Sequence, residues 1–257
     1  MADVRAWKPA VDGIAEVFHA HFTTHAYPLH THDTWTLLIV DDGAIRYGLD
    51  RHEHGAWRGD VTLLPPHVPH DGRSARSGGF RKRVLYLDSS VLGDDLIGAA
   101  ADHPSLADLV LREQIHRLHE SLLWPEPLES SSRLALVQER IRAHLRPQWR
   151  VAKPIGVAEQ MRELMDARVA EGVSLRDAAL AIGAHPAHLV RAFTRRFGLP
   201  PHRYLTGRRI ELARRLILAG MPLAQVATAA GFYDQAHLTR HFRRHLGITP
   251  GNYFTRT

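Results

Sequence analysis

A pattern of apolar residues, glycine and arginine occurs twice in the C-terminal part of the chain, and this repeat constrains the fold more than any other feature. In its second copy, Leu223, Val226 and Ala227 recur at the spacing of one helical face. Gly231 can end that helix, because glycine adopts the left-handed conformation at little cost. Asp234 is a favourable N-cap for a further helix. The pattern therefore predicts two short helices joined by a tight turn.

The second of these helices has one apolar face and one polar face. Leu238, Phe242 and Leu246 repeat every four residues, which predicts a buried stripe. The opposite face carries Gln235, His237, Thr239, Arg240, Arg243 and Arg244. Such side chains suit base edges and phosphates in a DNA major groove, as in a helix-turn-helix. A solvated basic helix is the alternative, which we weight lower because the glycine, the cap and both faces agree.

The first copy shows the same features upstream. Its matching positions are Leu175, Ala179, Gly183, Leu189, Arg191, Phe193, Arg195, Gly198, Pro201 and Tyr204. The two spacings differ by one residue in the turn, where an insertion costs little. A long helix from about Pro201 to Ala219 would hold the copies at a fixed separation. The repeat therefore predicts two DNA-reading units.

Charge and composition divide the chain in the same way. Residues 151–257 contain 16 Lys and Arg against 7 Asp and Glu, whereas residues 1–150 contain 17 against 20. The basic excess thus belongs to the part that carries the repeat. The chain has no cysteine, which excludes disulfides and thiolate chemistry. With no signal sequence and no apolar run of membrane-spanning length, we expect a cytoplasmic protein without a membrane partner.

The first 90 residues alternate short apolar stretches with turn-forming residues. The predicted strands cover residues 15–25, 30–43, 44–49, 56–58, 61–64 and 83–87. Asp41-Asp42-Gly43 and Arg58-Gly59-Asp60 are typical of hairpin turns, and Pro28 interrupts the first strand. This spacing predicts a small antiparallel barrel or sandwich.

Two helical stripes follow the strands. They are Leu106, Leu109, Val110, Ile115, Leu118 and Leu122, and then Leu134, Val137, Ile141 and Leu145. Prolines at 125, 127 and 147 end the two helices, which predicts an antiparallel pair. Its apolar stripe can pack on the barrel or on a second copy of the chain, and the sequence leaves both open.

Residues 231–253 (GFYDQAHLTRHFRRHLGITPGNY) resemble the signature of the AraC/XylS family of bacterial transcription regulators. Residues 28–33, 59–66 and 70–72 resemble the cupin-type sensor domain of that family. The resemblance implies two domains: an N-terminal all-β cupin-like barrel followed by a helix pair, and a C-terminal all-α domain with two helix-turn-helix units joined by a long helix. The implied boundaries are 1–100 for the barrel, 101–147 for the helix pair, 148–155 for a linker and 156–257 for the DNA-binding domain.

The resemblance also implies a function and partners. A regulator of this family binds double-stranded promoter DNA, responds to a small-molecule effector in the barrel, acts with RNA polymerase and often forms a homodimer. We expect no enzymatic activity, no catalytic residue and no cofactor. The alternative is a cupin-type metal-binding protein or metalloenzyme fused to a DNA-binding module.

Matching the family's DNA contacts to this sequence assigns two groups of residues. The base-reading group is His188, Val190, Arg191, Gln235, His237, Thr239 and Arg240. The phosphate-binding group is Arg195, Arg196, Arg243 and Arg244. The first unit departs from the pattern, since Ala184 stands where the second has Phe232, and Pro186 stands where it has Asp234.

Three histidines of the barrel allow several interpretations. His30, His32 and His70 match positions from which cupin enzymes bind a metal, but the glutamate expected near Thr36 is missing. They can instead be structural, or contact an organic ligand, and a metal is the interpretation we favour least. Trp35, Tyr47 and Trp57 are candidates for lining the same pocket, or are ordinary core residues.

Overall fold

The computed structural model describes residues 2–124, 127–145 and 156–253. Its strands are β1 (Ala2–Trp7), β2 (Ile14–Phe22), β3 (Tyr27–His30), β4 (Trp35–Gly43), β5 (Ile45–Leu49), β6 (His52–Ala56), β7 (Val61–Leu64), β8 (His70–Ser74), β9 (Phe80–Leu87) and β10 (Ser105–Leu106). Its α-helices are α1 (Ser89–Leu92), α2 (Ile97–Asp102), α3 (Leu109–Ser121), α4 (Pro127–His144), α5 (Val157–Asp166), α6 (Leu175–Ile182), α7 (Pro186–Phe197), α8 (Pro201–Leu218), α9 (Leu223–Ala229) and α10 (Gln235–Leu246). The predicted fold class is confirmed, while the predicted linker at 148–155 lies outside the described residues.

The strands form two antiparallel sheets around a shared interior. The larger sheet has the order β1-β2-β9-β4-β7-β10, and the smaller has the order β3-β8-β5-β6. Successive side chains of a strand point to opposite faces. In β4, Leu38 and Val40 therefore join the interior, whereas Leu37 and Ile39 pack on the outer face. Because both faces of β4 are buried, its sequence reads as a continuous apolar run.

Two turns differ from the sequence prediction. Asp41-Asp42-Gly43 is no hairpin turn, because β4 continues to Gly43 and carries the chain towards the smaller sheet. The hairpin between β5 and β6 turns instead at Asp50 and Arg51, whose φ angles are 43° and 72°. Asp50 suits such a turn, but Arg51 stands where glycine is usual, so the signal in the sequence is incomplete. Pro28 lies within β3, where it is tolerated because β3 is an edge strand.

The helix pair packs on the outer face of the larger sheet. Asp108 caps α3 by accepting hydrogen bonds from the amides of Val110 and Leu111, both at 2.9 Å, so the helix begins later than predicted. Leu106 belongs to β10 instead. The buried side chains that join this second core are Leu111, Ile115, Leu118, Leu122, Leu134, Val137, Ile141 and Leu145. Packing on the barrel therefore accounts for most of both predicted stripes.

The C-terminal helices form two helix-turn-helix units, α6 with α7 and α9 with α10, on either side of α8. The first unit has a core of its own. The second unit shares its core with the barrel interior, because Ile210, Phe242 and Leu246 lie in one cluster with Phe18 and Phe22. The second unit is thus docked on the barrel. Within the described ranges, no helix has the length and apolar character needed to cross a membrane.

Candidate DNA-binding face and histidine cluster

Both predicted recognition helices are held by local signals that the sequence carries. Gly231 has a φ of +79°, and a Cβ there would lie 2.1 Å from the carbonyl oxygen of Ala170, so only glycine fits this turn. Asp234 then caps α10 by accepting a hydrogen bond from the His237 amide at 2.6 Å. In the first unit, His185 caps α7 through the Ala187 amide at 3.3 Å, and Pro186 occupies the first turn. The departure at Pro186 therefore leaves α7 intact.

The strongest base-reading candidates are exposed. Arg191 and His188 lie on the outer side of α7, and Gln235 and Arg240 lie on the outer side of α10. The apolar sides of the same helices are fully buried through Leu189, Phe193, Leu238 and Phe242. Each helix therefore presents a polar surface on the side opposite its core.

Three predicted base readers are less available. Val190 lines an apolar cleft of about 280 Å³ together with Met161 and Leu205. The Thr239 hydroxyl donates to the carbonyl oxygen of Gln235 at 2.8 Å, within its own helix. His237 Nδ1 accepts a hydrogen bond from the Tyr233 amide at 3.3 Å. In this arrangement these side chains face helix or turn atoms.

Tyr233 is a residue of this face that sequence reasoning missed. It lies in the turn before α10, and 91% of its surface is exposed, more than for any other large apolar residue described. An exposed aromatic ring beside a recognition helix can contact a thymine methyl group or a sugar. In the sequence, Asp234 is recognisable as a helix cap, but no pattern identifies Tyr233 beside it as an exposed residue of this face.

The four predicted phosphate-binding arginines are all exposed, but they differ in their partners. Arg196 Nε donates to Glu159 at 2.6 Å, and its guanidinium lies 5.6 Å from the Phe197 ring centroid. Arg243 and Arg244 line the outer groove of α10 with Gln235 and Arg240. Arg195 is exposed at the end of α7. Arg196 must therefore leave Glu159 before it can bind a phosphate.

The barrel interior brings the three predicted histidines together. His30 from β3 pairs in register with His70 from β8, and His32 follows β3. Their ring centroids are separated by 4.5 to 5.0 Å, and one ring nitrogen from each lies within 4.8 Å of the other two. Burial lowers the pKa of His70 to about 4 and holds the pKa values of His30 and His32 well below 6.5. The three rings are therefore neutral at physiological pH.

Of the three aromatic residues predicted to line the same pocket, only one lies in the barrel interior. Trp35 is fully buried on the outer face of β4, against the helix pair, so of the two alternatives it is an ordinary core residue and does not line the interior. Trp57 is 44% exposed and packs beside Gly55, so it fits neither alternative. Tyr47 does belong to the interior core. The alternation of side chains along β4 explains the position of Trp35, because Trp35 points to the same face as Leu37 and not to the face of Leu38.

Lys82 is an interior residue that the sequence analysis passed over. It lies on β9 in the phase of Phe80 and Val84, and it is only 9% exposed. Its Nζ lies 4.1 Å from the ring centroid of Tyr27. Burial lowers the pKa of its amine to about 7. The alternation of side chains along β9 is the sequence signal that could have predicted this interior position.

A buried ionic network joins the barrel to α8. Arg208 is the centre of this network: it donates to Asp33 at 3.1 Å, to Asp166 at 2.9 Å and to Glu211. Arg215 also donates to Asp33, at 2.5 Å. Burial raises the pKa of Asp33, but Arg208 and Arg215 outweigh it and hold that pKa well below its usual value. Asp33 belongs to the barrel, so these bonds connect the two domains.

Glu211 connects α8 to the histidine cluster. One of its carboxylate oxygens faces His32 Nδ1, and the other accepts hydrogen bonds from Arg208 and from the Asp33 amide, the latter at 3.2 Å. Burial, with the neighbouring charge of Asp33, raises the pKa of Glu211 to about 8. The carboxyl group of Glu211, which belongs to the DNA-binding domain, therefore contacts the barrel cluster.

A second buried ion pair lies beside the first network. Arg214 of α8 donates to Glu16 of β2 at 2.6 Å and to the Tyr253 hydroxyl at 2.7 Å. Tyr253 in turn donates to Glu16. The side chains of Arg214 and Glu16 are both almost fully buried. Charge pairs across a domain boundary gave no signal in the sequence, because their members lie 198 residues apart.

The first unit also meets the barrel. The Asp50–Arg51 turn reaches the end of α7, where Arg51 donates to the carbonyl oxygen of Arg195. A cleft of about 330 Å³ lies between this turn and α7, with Leu29, Pro69 and Phe197 among its lining residues. Both units are therefore in contact with the N-terminal domain.

Comparisons with known proteins agree with this architecture. The family model described as an AraC-like ligand binding domain matches residues 13–144, and one described as a helix-turn-helix domain matches residues 178–256. The HTH-type transcriptional regulator YbfI of Bacillus subtilis strain 168 is 26% identical over 223 residues, which are 82% of this chain and 80% of that protein.

Solved structures of similar fold cover nearly the whole chain. An apo structure of a single-substitution variant of ToxT from Vibrio cholerae strain SCE256 has a TM-score of 0.65 at 12% identity and covers 98% of this chain and 95% of its own. Wild-type ToxT from the same strain, with an unsaturated fatty acid bound, has a TM-score of 0.60 at 14% identity and covers 97% and 92%. At this identity the likeness concerns the fold.

Proposed function

This chain belongs to the AraC family of transcription regulators, with a ligand-binding N-terminal domain and a helix-turn-helix DNA-binding domain, and from that premise we propose how it contacts DNA. α7 and α10 enter successive segments of the major groove, about 34 Å apart. The observation that carries the proposal is the pair of capped helices, each with a buried apolar side and an exposed side bearing arginine.

Arg191 and Arg240 are the proposed specificity contacts. Each is exposed near the middle of its recognition helix. A guanidinium can donate two hydrogen bonds to O6 and N7 of a guanine, and one such contact discriminates by about 1–3 kcal/mol. His188, Gln235 and Tyr233 are the neighbouring exposed side chains that complete the reading surface.

Arg195, Arg243 and Arg244 are the proposed phosphate contacts, and Arg196 joins them once it separates from Glu159. Loss of one phosphate contact weakens binding to all sequences alike and reduces the slope of log K against log salt by about 1. Salt dependence thus separates this group from the base readers.

DNA footprinting on the chain's own upstream region tests the assignment. We expect protection of two adjacent half-sites, with Arg191→Ala losing one and Arg240→Ala losing the other. Arg168→Ala is the matched control, because Arg168 is exposed in the turn after α5 and lies outside both recognition helices. Unchanged protection in both test variants would show that α7 and α10 are not the reading helices.

The effector is proposed to act by changing how the second unit docks on the barrel. The second unit and the barrel interior share one apolar core, so a ligand bound beside Tyr47 in that interior would contact residues next to α8 and α10. Such a ligand shifts the docking equilibrium by its difference in affinity for the two arrangements. RNA polymerase is the partner that an activator of this family would contact.

A homodimer is proposed to form through the helix pair. Leu109, Val110, Leu128 and Leu136 are more than half exposed there, whereas the second-core residues of the same two helices are buried against the sheet. Leu128→Asp should lower the mass measured by light scattering if this face joins two copies. An unchanged mass would place the interface elsewhere or indicate a monomer.

A further inference from the structure

Of the three cluster histidines, His30 and His70 have their Nδ1 atoms held by backbone carbonyl groups. His30 Nδ1 lies 2.6 Å from the carbonyl oxygen of Pro28, and His70 Nδ1 lies 3.0 Å from that of Val68. A carbonyl oxygen can only accept, so each Nδ1 must carry the proton. A ring whose Nδ1 carries this proton has its lone pair on Nε2, and that nitrogen is then available to bind a metal.

His32 has its Nδ1 held by a carboxylate instead. Its partner is Glu211 of α8, whose other oxygen is fixed by Arg208 and by the Asp33 amide. Histidine ligands of metals commonly donate their second ring nitrogen to a carboxylate or a backbone carbonyl. His30 and His70 therefore have the outer acceptor that such a ligand requires, and Glu211 of the DNA-binding domain supplies it for His32 when its carboxyl group is ionised.

The donor set fits a transition metal of intermediate softness. Three imidazoles suit Zn²⁺, Co²⁺, Ni²⁺ or Fe²⁺ and leave further positions for water. Nitrogens bound to tetrahedral zinc at about 2.0–2.1 Å lie roughly 3.4 Å apart. One ring nitrogen of each histidine lies within 4.8 Å of the other two, so the rings must move closer together to bind a single ion.

We propose that Nε2 of His30, His32 and His70 bind a divalent transition metal, and that Glu211 is its outer-sphere carboxylate, so that metal binding and docking of α8 on the barrel stabilise each other. Loss of such an outer partner typically weakens metal affinity about 10–100-fold. Because coupling between two equilibria is reciprocal, the metal favours the docked arrangement by the same factor.

Cobalt titration of the chelator-treated full chain tests the site. We expect one Co²⁺ per chain, with visible absorption bands that Zn²⁺ abolishes by competition, and we expect His70→Ala to remove them. If the wild-type chain binds no stoichiometric Co²⁺ or Zn²⁺, the site does not exist.

The role of Glu211 is tested with a matched pair of variants. Glu211→Gln should weaken Co²⁺ affinity about 10–100-fold, whereas Glu16→Gln, which weakens docking but keeps the outer partner of His32, should weaken it less. Glu16 is also a buried barrel-to-α8 partner, but its carboxylate accepts from Arg214 and Tyr253 and does not face the cluster histidines. Equal affinities of the two variants would contradict the role of Glu211.

A measurement on the wild-type chain gives the same answer if a variant fails to fold. Hydrogen exchange with and without Zn²⁺ should show slower exchange in α8 as well as in β3 and β8, because Glu211 lies on α8. Protection confined to the barrel would overturn the linkage. Footprinting with the Arg191 and Arg240 variants is a separate outcome, since both residues lie on the exposed sides of the recognition helices.

Discussion

Replacing Arg214 by methionine should destabilise the docked protein strongly. Arg214 is 3% exposed, and its guanidinium lies 2.6 Å from Glu16, 2.7 Å from the Tyr253 hydroxyl and 4.2 Å from the Tyr86 ring centroid. Methionine fills much of the volume but leaves the Glu16 carboxylate buried without its cation. Removing one member of a buried pair costs about 3–5 kcal/mol. An attraction of roughly 6 kcal/mol at 2.6 Å, for an effective dielectric constant near 20, gives the same order of magnitude.

Urea unfolding of a double-mutant cycle measures this coupling. Glu16→Gln/Arg214→Met should lose about 2–3 kcal/mol less than the sum of the single variants, because the double variant leaves neither charge unpaired. Arg133→Met is the control, since its pair with Glu129 is exposed on α4 and contributes about 0.5 kcal/mol or less. Additive losses in the cycle would refute the buried pair as a link between β2 and α8.

Two further predictions concern single residues. Gly231→Ala should destabilise the second unit by more than the roughly 1–2 kcal/mol that a left-handed alanine costs, because its Cβ would meet the Ala170 carbonyl oxygen at 2.1 Å. Gly183 has a φ of +70° and open space where a Cβ would lie, so Gly183→Ala should cost only the roughly 1–2 kcal/mol of the left-handed backbone. Thermal unfolding measures both variants. Burial lowers the pKa of His19 from 6.5 to about 4, so between these values the unfolded chain binds a proton that the folded chain does not. The contribution of His19 is therefore complete above pH 6.5 and is lost as the pH falls to 4, a change of about 3 kcal/mol. Unfolding at about pH 7 and about pH 4.5 should show a smaller pH effect in His19→Gln, and an equal effect would contradict the assignment.

Local periodicity predicted the DNA-binding half well. α8 begins at Pro201 as predicted, Asp234 caps α10, and Leu238, Phe242 and Leu246 are buried. These features depend on residues within about four positions of one another, and helical spacing, caps and glycines report such contacts directly. The roles of the exposed side chains stay predictions, because exposure alone does not identify a DNA contact.

The barrel was predicted less completely, and the missing features depend on distant contacts. β8 escaped notice because His70-Asp-Gly72-Arg-Ser74 has almost no apolar residue, and its ladder partners lie in β3 and β5. The Asp50–Arg51 turn has arginine where such turns usually have glycine. The docking of the second unit on the barrel, and with it the contact of Glu211 with His32, joins residues 179 positions apart. No local pattern encodes such a pair.

The equivalent tyrosines of the two repeat copies, Tyr204 and Tyr253, donate hydrogen bonds to carboxylates in different domains. Tyr204 donates to Asp166 of α5, at 2.9 Å, so the first copy closes on its own domain. Tyr253 donates to Glu16 of β2, so the second copy closes on the sensor. An arginine of α8 takes part in both arrangements: Arg208 donates to Asp166 in the first copy, and Arg214 donates to the Tyr253 hydroxyl in the second.

This difference predicts separate effects of the same substitution. Loss of a buried hydroxyl that bonds to a carboxylate costs about 1–3 kcal/mol. Tyr253→Phe should therefore speed hydrogen exchange in β2 by up to about 100-fold, because docking on the barrel is weakened. Tyr204→Phe should speed exchange in α5 and α7 and leave β2 unchanged. If both variants affect β2 equally, docking depends on the whole DNA-binding domain, and the second unit is not its specific attachment point.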